Sequence, residues 1–186
     1  MAKVKAKSVI VPSVVLTVIC IVIAAALAVT NSITADKIAA LEKQQSVEAM
    51  KAVFDDEGAS FRDGTVTLDD KEYSYSAVTL NGETIGYVFT VSNNGYGGAV
   101  KVMTGINNDG TVRRIQVLSV DDETPGLGQN AKSKVGFSEQ FSGKSGSISY
   151  EKNKDIDALT GATITTNAVV RDVNTALELF QKVKGE

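Results

Sequence analysis

The chain has 186 residues, 43% hydrophobic and 22% charged, with a formal net charge of −3 at pH 7. That length and apolar content exclude wholesale disorder and support one modest core. Histidine is absent and Cys20 is the only cysteine. His-based zinc sites, Ser-His-Asp hydrolysis, histidine acid–base chemistry, intrachain disulfides and cysteine metal sites are therefore excluded.

The first element is apolar. Residues 9–29 carry no charge and are mostly Val, Ile, Leu and Ala. A run of about 20 such residues spans a bilayer as a helix. Lys3, Lys5 and Lys7 precede it and the next basic residue is Lys37. The positive-inside rule then predicts a cytoplasmic N-terminus and an extracytoplasmic remainder. Ala26-Leu27-Ala28 fits a signal-peptidase site, but the run exceeds the ~7–15 residues of a signal peptide, so a retained anchor is expected. Ile19 before Cys20 does not suit a lipoprotein signal, and Cys20 reads as a small apolar residue facing lipid or a neighbouring helix.

The helix is expected to continue outward over residues 33–56, with Ile38, Leu41, Val47 and Val53 as its apolar members, until Gly58 and Gly64 interrupt. The expected divisions are 1–30 for the cytoplasmic tip and transmembrane helix, 31–56 for a helical connector, and 57–186 for one domain. Beyond the three N-terminal lysines, 16 basic residues face 22 acidic ones, a net of −6, and no basic cluster tracks along a face. Nucleic acid is not an expected partner.

Val-, Thr- and Tyr-rich strands are predicted at 65–68, 73–80, 84–92, 99–106 and 112–120. Asn81-Gly82 and Asn108-Asp109-Gly110 are hairpin signals, so the strands form an antiparallel meander. Asp121-Asp122-Glu123 reads as a solvated acidic loop. Short helices are predicted at 131–135 and 138–141, a further strand at 147–151, and a closing helix at 164–184. In that helix Val169, Val173, Ala176, Leu177 and Phe180 recur at helical spacing on one face. The fold class is α+β: an N-terminal transmembrane helix, then one extracytoplasmic domain with an antiparallel sheet and packed helices.

The stretch Asp157-Ala158-Leu159-Thr160-Gly161-Ala162-Thr163 sits directly before the closing helix. Free N–H groups of a helix start, a glycine turn and several hydroxyls together make an anion site. The same residues also describe a plain N-cap by Thr160 or Thr163. Likewise Pro125-Gly126 is the signature of a type II turn, and Tyr96 can stack on a ligand or simply pack.

Asp157-x-x-Thr160-Gly161-Ala162-Thr163 resembles the flavinylation motif of the FMN-binding domain family. In that family the final Thr or Ser carries FMN through a phosphoester, which implies Thr163 as the attachment residue. Glu123-Thr124-Pro125-Gly126-Leu127-Gly128 resembles the family's flavin-contacting loop, and Asn94-Gly95-Tyr96-Gly97-Gly98 its Gly-Tyr-x-Gly turn. The resemblance implies cofactor contacts from Leu159, Thr160, Gly161, Ala162, Glu123, Thr124, Pro125, Gly126, Leu127, Gly128, Tyr96 and Gly97. It implies recognition of Asp157 by the enzyme that attaches the flavin, with a metal ion on that enzyme's side. The family often has His shortly before Glu123; Asp121 and Asp122 stand there instead, so no role of that His carries over.

With its anchor and length, the whole chain resembles the RnfG subunits of Rnf electron-transport complexes, which couple ferredoxin and NAD to ion translocation. The related NqrC subunits of sodium-pumping NADH:quinone oxidoreductases are usually longer. The implied function is a membrane-anchored electron relay with covalent FMN, one redox subunit of a multisubunit translocase. Its implied partners are the other membrane and peripheral subunits, including a second flavinylated membrane subunit, the flavin-attaching enzyme and membrane lipid. A flavin performs the redox chemistry itself, and the side chains offer no catalytic acid, base or nucleophile and no Gly-x-Gly-x-x-Gly fingerprint. The alternatives are the quinone-reductase subunit, a stand-alone extracytoplasmic flavin carrier, and a membrane-tethered binding domain without cofactor.

Overall fold

The computed structural model describes residues 6–150 and 155–185. Lys3 and Lys5, which with Lys7 set the expected orientation, lie outside the described residues. The chain divides into two units, residues 1–44 and 45–186.

The first unit is one helix, the greater part of α1 (Ala6–Val53). Its apolar residues, from Ile10 to Ile23 and on through Leu27, Val29 and Ile33, are exposed. By length and composition this helix can cross a membrane. Apolar exposure all round a helix suits a hydrocarbon solvent, where backbone groups must be paired internally.

The second unit is a five-stranded antiparallel sheet in the order β1-β2-β3-β4-β5: Ser60–Leu68, Lys71–Leu80, Glu83–Asn94, Ala99–Asn107 and Val112–Ser119. The β2–β3 hairpin turns on Asn81 and Gly82, both at positive φ as a two-residue type I′ turn requires. Asp69 and Asp70, also at positive φ, make an equivalent turn between β1 and β2. That turn carries no glycine, and β1 begins earlier than the sequence pattern predicts because residues 60–64 pair with residues 75–79 of β2. Pairing satisfies their backbone groups whatever the local propensity.

Alternation splits the sheet into two faces. Phe89, Val91, Val102 and Ile115 belong to the main core with Ala168, Val169, Val173 and Phe180 of α3 (Thr163–Gly185). Val78, Val88 and Met103 form a second cluster with Ala49, Val53 and Phe54 at the end of α1. Two short pieces follow β5: the single-turn α2 (Asn130–Ser133) and a 3₁₀ turn at Ser138–Phe141. The strand predicted at 147–151 does not form over 147–150, and Glu151 lies outside the described residues. The backbone of Ile148 is instead held on both sides by the Asn174 amide of α3, its N–H at 2.9 Å and its carbonyl at 3.0 Å. A side-chain amide replaces the strand neighbour.

Candidate functional site

The site is assembled where three loops meet the start of α3. Gly161 turns the chain into the helix at φ 73°, a left-handed conformation that favours glycine. The helix is not capped by Thr160 or Thr163. The buried Thr166 does that work: its Oγ1 donates to the Ala162 carbonyl at 2.9 Å and accepts the Leu159 N–H at 3.1 Å. Thr163 is the first helical residue, exposed, with no hydrogen bond to its hydroxyl among the described residues. The N–H groups of Thr163, Ile164 and Thr165 likewise have no acceptor there, as the first turn of a helix dictates.

The opposite wall comes from the loop after β5. Glu123 does not sit in solvent with Asp121 and Asp122, as the acidic run predicts; it is 3% exposed. Its Oε1 accepts the N–H groups of Tyr96 at 2.7 Å and Gly97 at 3.1 Å, and its Oε2 accepts the Thr165 hydroxyl at 2.6 Å. Four parts of the chain thus converge on one carboxylate, because Gly128 packs against it too: a Cβ there would collide with Glu123 and Thr165. A Cβ at Gly97 would collide with the Asp122 carbonyl. Burial pushes the Glu123 carboxyl up, but the hydrogen bonds from Thr165 and the turn amides outweigh it and hold it below the usual carboxylate range.

These elements enclose a cavity of about 490 Å³. Tyr96, Glu123, Thr124, Leu127, Gly128, Gly161, Ala162 and Thr163 line it, joined by Ile164 and Thr165, which sequence reasoning did not single out. Pro125 and Gly126 are exposed and shape the turn without lining the cavity; Thr160 is exposed beside it, and Leu159 is buried beneath. The N–H of Asp157 donates to Gln140 Oε1 at 2.7 Å and its side chain is exposed, away from the lining. Thr165 left a faint signal in the sequence, a hydroxyl on the inward side of the first helical turn.

Residues 95–178 match the FMN-binding domain family, and residues 1–53 match the RnfG N-terminal region. Over 192 aligned residues the chain is 34% identical to the RnfG-type subunit of the Na⁺-translocating ferredoxin:NAD⁺ oxidoreductase complex of Acetobacterium woodii, covering 91% of this chain and 90% of that protein. The chain belongs to the RnfG family. The corresponding subunit of the proton-translocating ferredoxin:NAD⁺ oxidoreductase complex of Clostridium ljungdahlii is 35% identical, with 85% of this chain and 82% of that protein covered. Among solved structures, Shewanella oneidensis NqrC has the same fold, with a TM-score of 0.52 at 16% identity over 66% of this chain and 70% of that one.

The RnfG cavity suits FMN on its own geometry. Its volume falls within the ~300–1,000 Å³ of small-molecule sites. One end has three free helix N–H groups and the positive end of a helix dipole, which is the environment a phosphate seeks. Leu127, Ile164 and Tyr96 are exposed apolar or aromatic side chains around it, and these suit the faces of a flavin ring.

Proposed function

We propose that this RnfG-family chain is the membrane-anchored electron-relay subunit of an ion-translocating ferredoxin:NAD oxidoreductase complex, with FMN joined to Thr163 by a phosphoester. The observation that carries the reading is the Thr163 hydroxyl. It stands at the mouth of the cavity, uncommitted to capping, beside three unpaired N–H groups. The amides of residues 163–165 would hold the phosphate, and the small Gly161 and Ala162 leave room beside it. Leu127, Ile164 and Tyr96 would flank the ring, while Glu123 keeps the Tyr96 turn and the helix start in register. Bound FMN supplies one- and two-electron redox chemistry; the chain supplies anchorage, orientation and exclusion of water.

The helix of residues 10–29 anchors the chain in the membrane, in the proposed orientation with the N-terminus cytoplasmic and the cofactor domain, residues 57–186, outside. A tether on phosphate leaves the ring free and prevents loss of the cofactor to the exterior. The exposed Asp157 is the contact offered to the flavin-attaching enzyme, and Thr160 stands next to the phosphate site. The other subunits of the complex and lipid are the remaining partners. The match of residues 1–53 to the RnfG N-terminal region favours this complex over the quinone reductase.

Intact mass of the purified full chain tests the reading. Wild-type protein made with the flavin-attaching enzyme should gain one FMN less one water, and Thr163→Val should gain nothing. An FMN adduct that survives in Thr163→Val would place the attachment elsewhere.

A further inference from the structure

Asp172 lies on α3, 0% exposed, and does not line the cavity. Its Oδ1 accepts a hydrogen bond from Asn93 Nδ2 at 2.7 Å, and its Oδ2 has no hydrogen-bond partner. An acidic side chain buried with one oxygen unpaired is far costlier than the Ala and Val residues that fill the rest of this helix face. The neighbouring Arg171 makes a second contact, donating from Nη2 to the Asn94 carbonyl at 2.9 Å. Two consecutive helix residues therefore grip the last two residues of β3.

Those two strand residues lead directly into the turn that serves the site. Gly95 N–H closes that turn on the Gly98 carbonyl at 2.8 Å. The turn then presents the Tyr96 and Gly97 N–H groups to Glu123, and Tyr96 lines the cavity. Within the sheet this tip is held by pairing with Ala99 and Val100 of β4 alone. A hairpin tip held on one side can twist about its strands; a grip on the helix removes that freedom. The helix doing the gripping is also the one whose first residue is Thr163, about 13 Å away along its axis.

We propose that Asp172–Asn93 and Arg171–Asn94 form a two-point clamp that fixes the turn of residues 94–98 to α3, making Asp172 a positioning residue for the flavin site. The flavin part of this inference rests on the cavity being the FMN site; the clamp itself does not. Burial pushes the Asp172 carboxyl up to about 7, against the Asn93 hydrogen bond and the positive charges of Arg171 on its own helix and Lys71 on β2. A carboxylate accepts a stronger hydrogen bond than a carboxylic acid, so the bond to Asn93 tightens as pH rises through that range.

The experiment uses the full chain in detergent, with and without flavin, as wild type, Asp172→Ala and Asp172→Asn. Amide hydrogen exchange at Tyr96 and Gly97 reads the clamp; visible circular dichroism and the reduction potential of loaded protein, followed between about pH 5.5 and 8.5, read the flavin. Asp172→Ala should speed exchange at Tyr96 and Gly97 by about tenfold or more while leaving Val102 in β4 unchanged. Asp172→Asn, which keeps an acceptor for Asn93, should restore slow exchange. The wild-type flavin signals should titrate near pH 7 and those of Asp172→Asn should not.

Unchanged exchange at Tyr96 and Gly97 in a folded Asp172→Ala chain would overturn the clamp. So would equal loosening of all of α3 and β3 in both variants, which is the behaviour of an ordinary core residue. A flavin signal in Asp172→Asn that titrates as wild type does would also refute it. If the wild type takes up no flavin, the FMN reading fails, and exchange in the flavin-free chain still decides the clamp.

Discussion

Thr165 Oγ1 and Glu123 Oε2 meet at 2.6 Å across a sequence separation of 42 residues. Both groups are buried, and the carboxylate also gathers the Tyr96 and Gly97 amides. One acid thereby ties the loop after β5, the turn after β3 and the start of α3 into a single frame around the cavity.

Removing that acid leaves three donors without an acceptor. Each buried unpaired donor costs ~1–3 kcal/mol, so Glu123→Ala should destabilise the chain by about 3 kcal/mol or more and Thr165→Val by ~1–2 kcal/mol. The double variant should lose less than the two single losses combined, by ~1 kcal/mol. Denaturant unfolding of the full chain in detergent measures all three; additive losses would show that the two residues do not act together.

Leu127 offers a way to alter the flavin's surroundings without removing the cofactor. Its side chain lines the cavity and is 41% exposed. Leu127→Asp should keep covalent FMN, because the tether is at Thr163. The added charge should disfavour negatively charged reduced flavin and lower the potential. Spectroelectrochemistry on folded, loaded protein checks this, and an unchanged potential and spectrum would remove the loop from the flavin's environment.

Asp172 makes stability fall with pH. Its titration point is raised by burial from 3.8 to about 7. Between those values the folded chain holds a proton that the unfolded chain has released, so its stabilising contribution is complete below pH 3.8 and lost as pH rises through about 7. The loss is on the order of a few kcal/mol, even though the individual bond to Asn93 strengthens. Asp172→Asn should flatten the dependence between these limits and raise the Tm above pH 7. A Tm profile parallel to wild type would mean that Asp172 does not titrate in this range. Glu123, held low, acts in the opposite sense: its stabilisation is present above the ordinary glutamate range and lost as pH falls through its folded value.

Orientation has its own check. Protease added outside intact cells should digest the domain of residues 57–186 when Lys3, Lys5 and Lys7 face the cytoplasm. Full protection, with an external control protein cut, would reverse the topology. Recovery of a chain beginning at Val29 would show cleavage after Ala28.

Much of the fold is legible in the sequence because it depends on near neighbours. The charge-free run at 9–29, the alternation within the strands, the Asn81-Gly82 turn and the helical spacing from Val169 to Phe180 each carry their own local signal. The motifs around Gly97, Leu127 and Thr163 can also be recognised as short strings, and the fold brings all three segments to one cavity. Partnership across the chain was not legible. Nothing near Glu123 in the sequence distinguishes it from the two solvent-facing acids before it, and nothing near Asp172 marks it as buried. The early start of β1, the loss of a strand at 147–150 to the Asn174 amide and the capping role of Thr166 are of the same kind. A one-dimensional pattern states which residues prefer to be apolar, extended or turned; which donor meets which acceptor across 42 or 79 residues is settled only when sheet and helix pack and every buried polar group must find a partner.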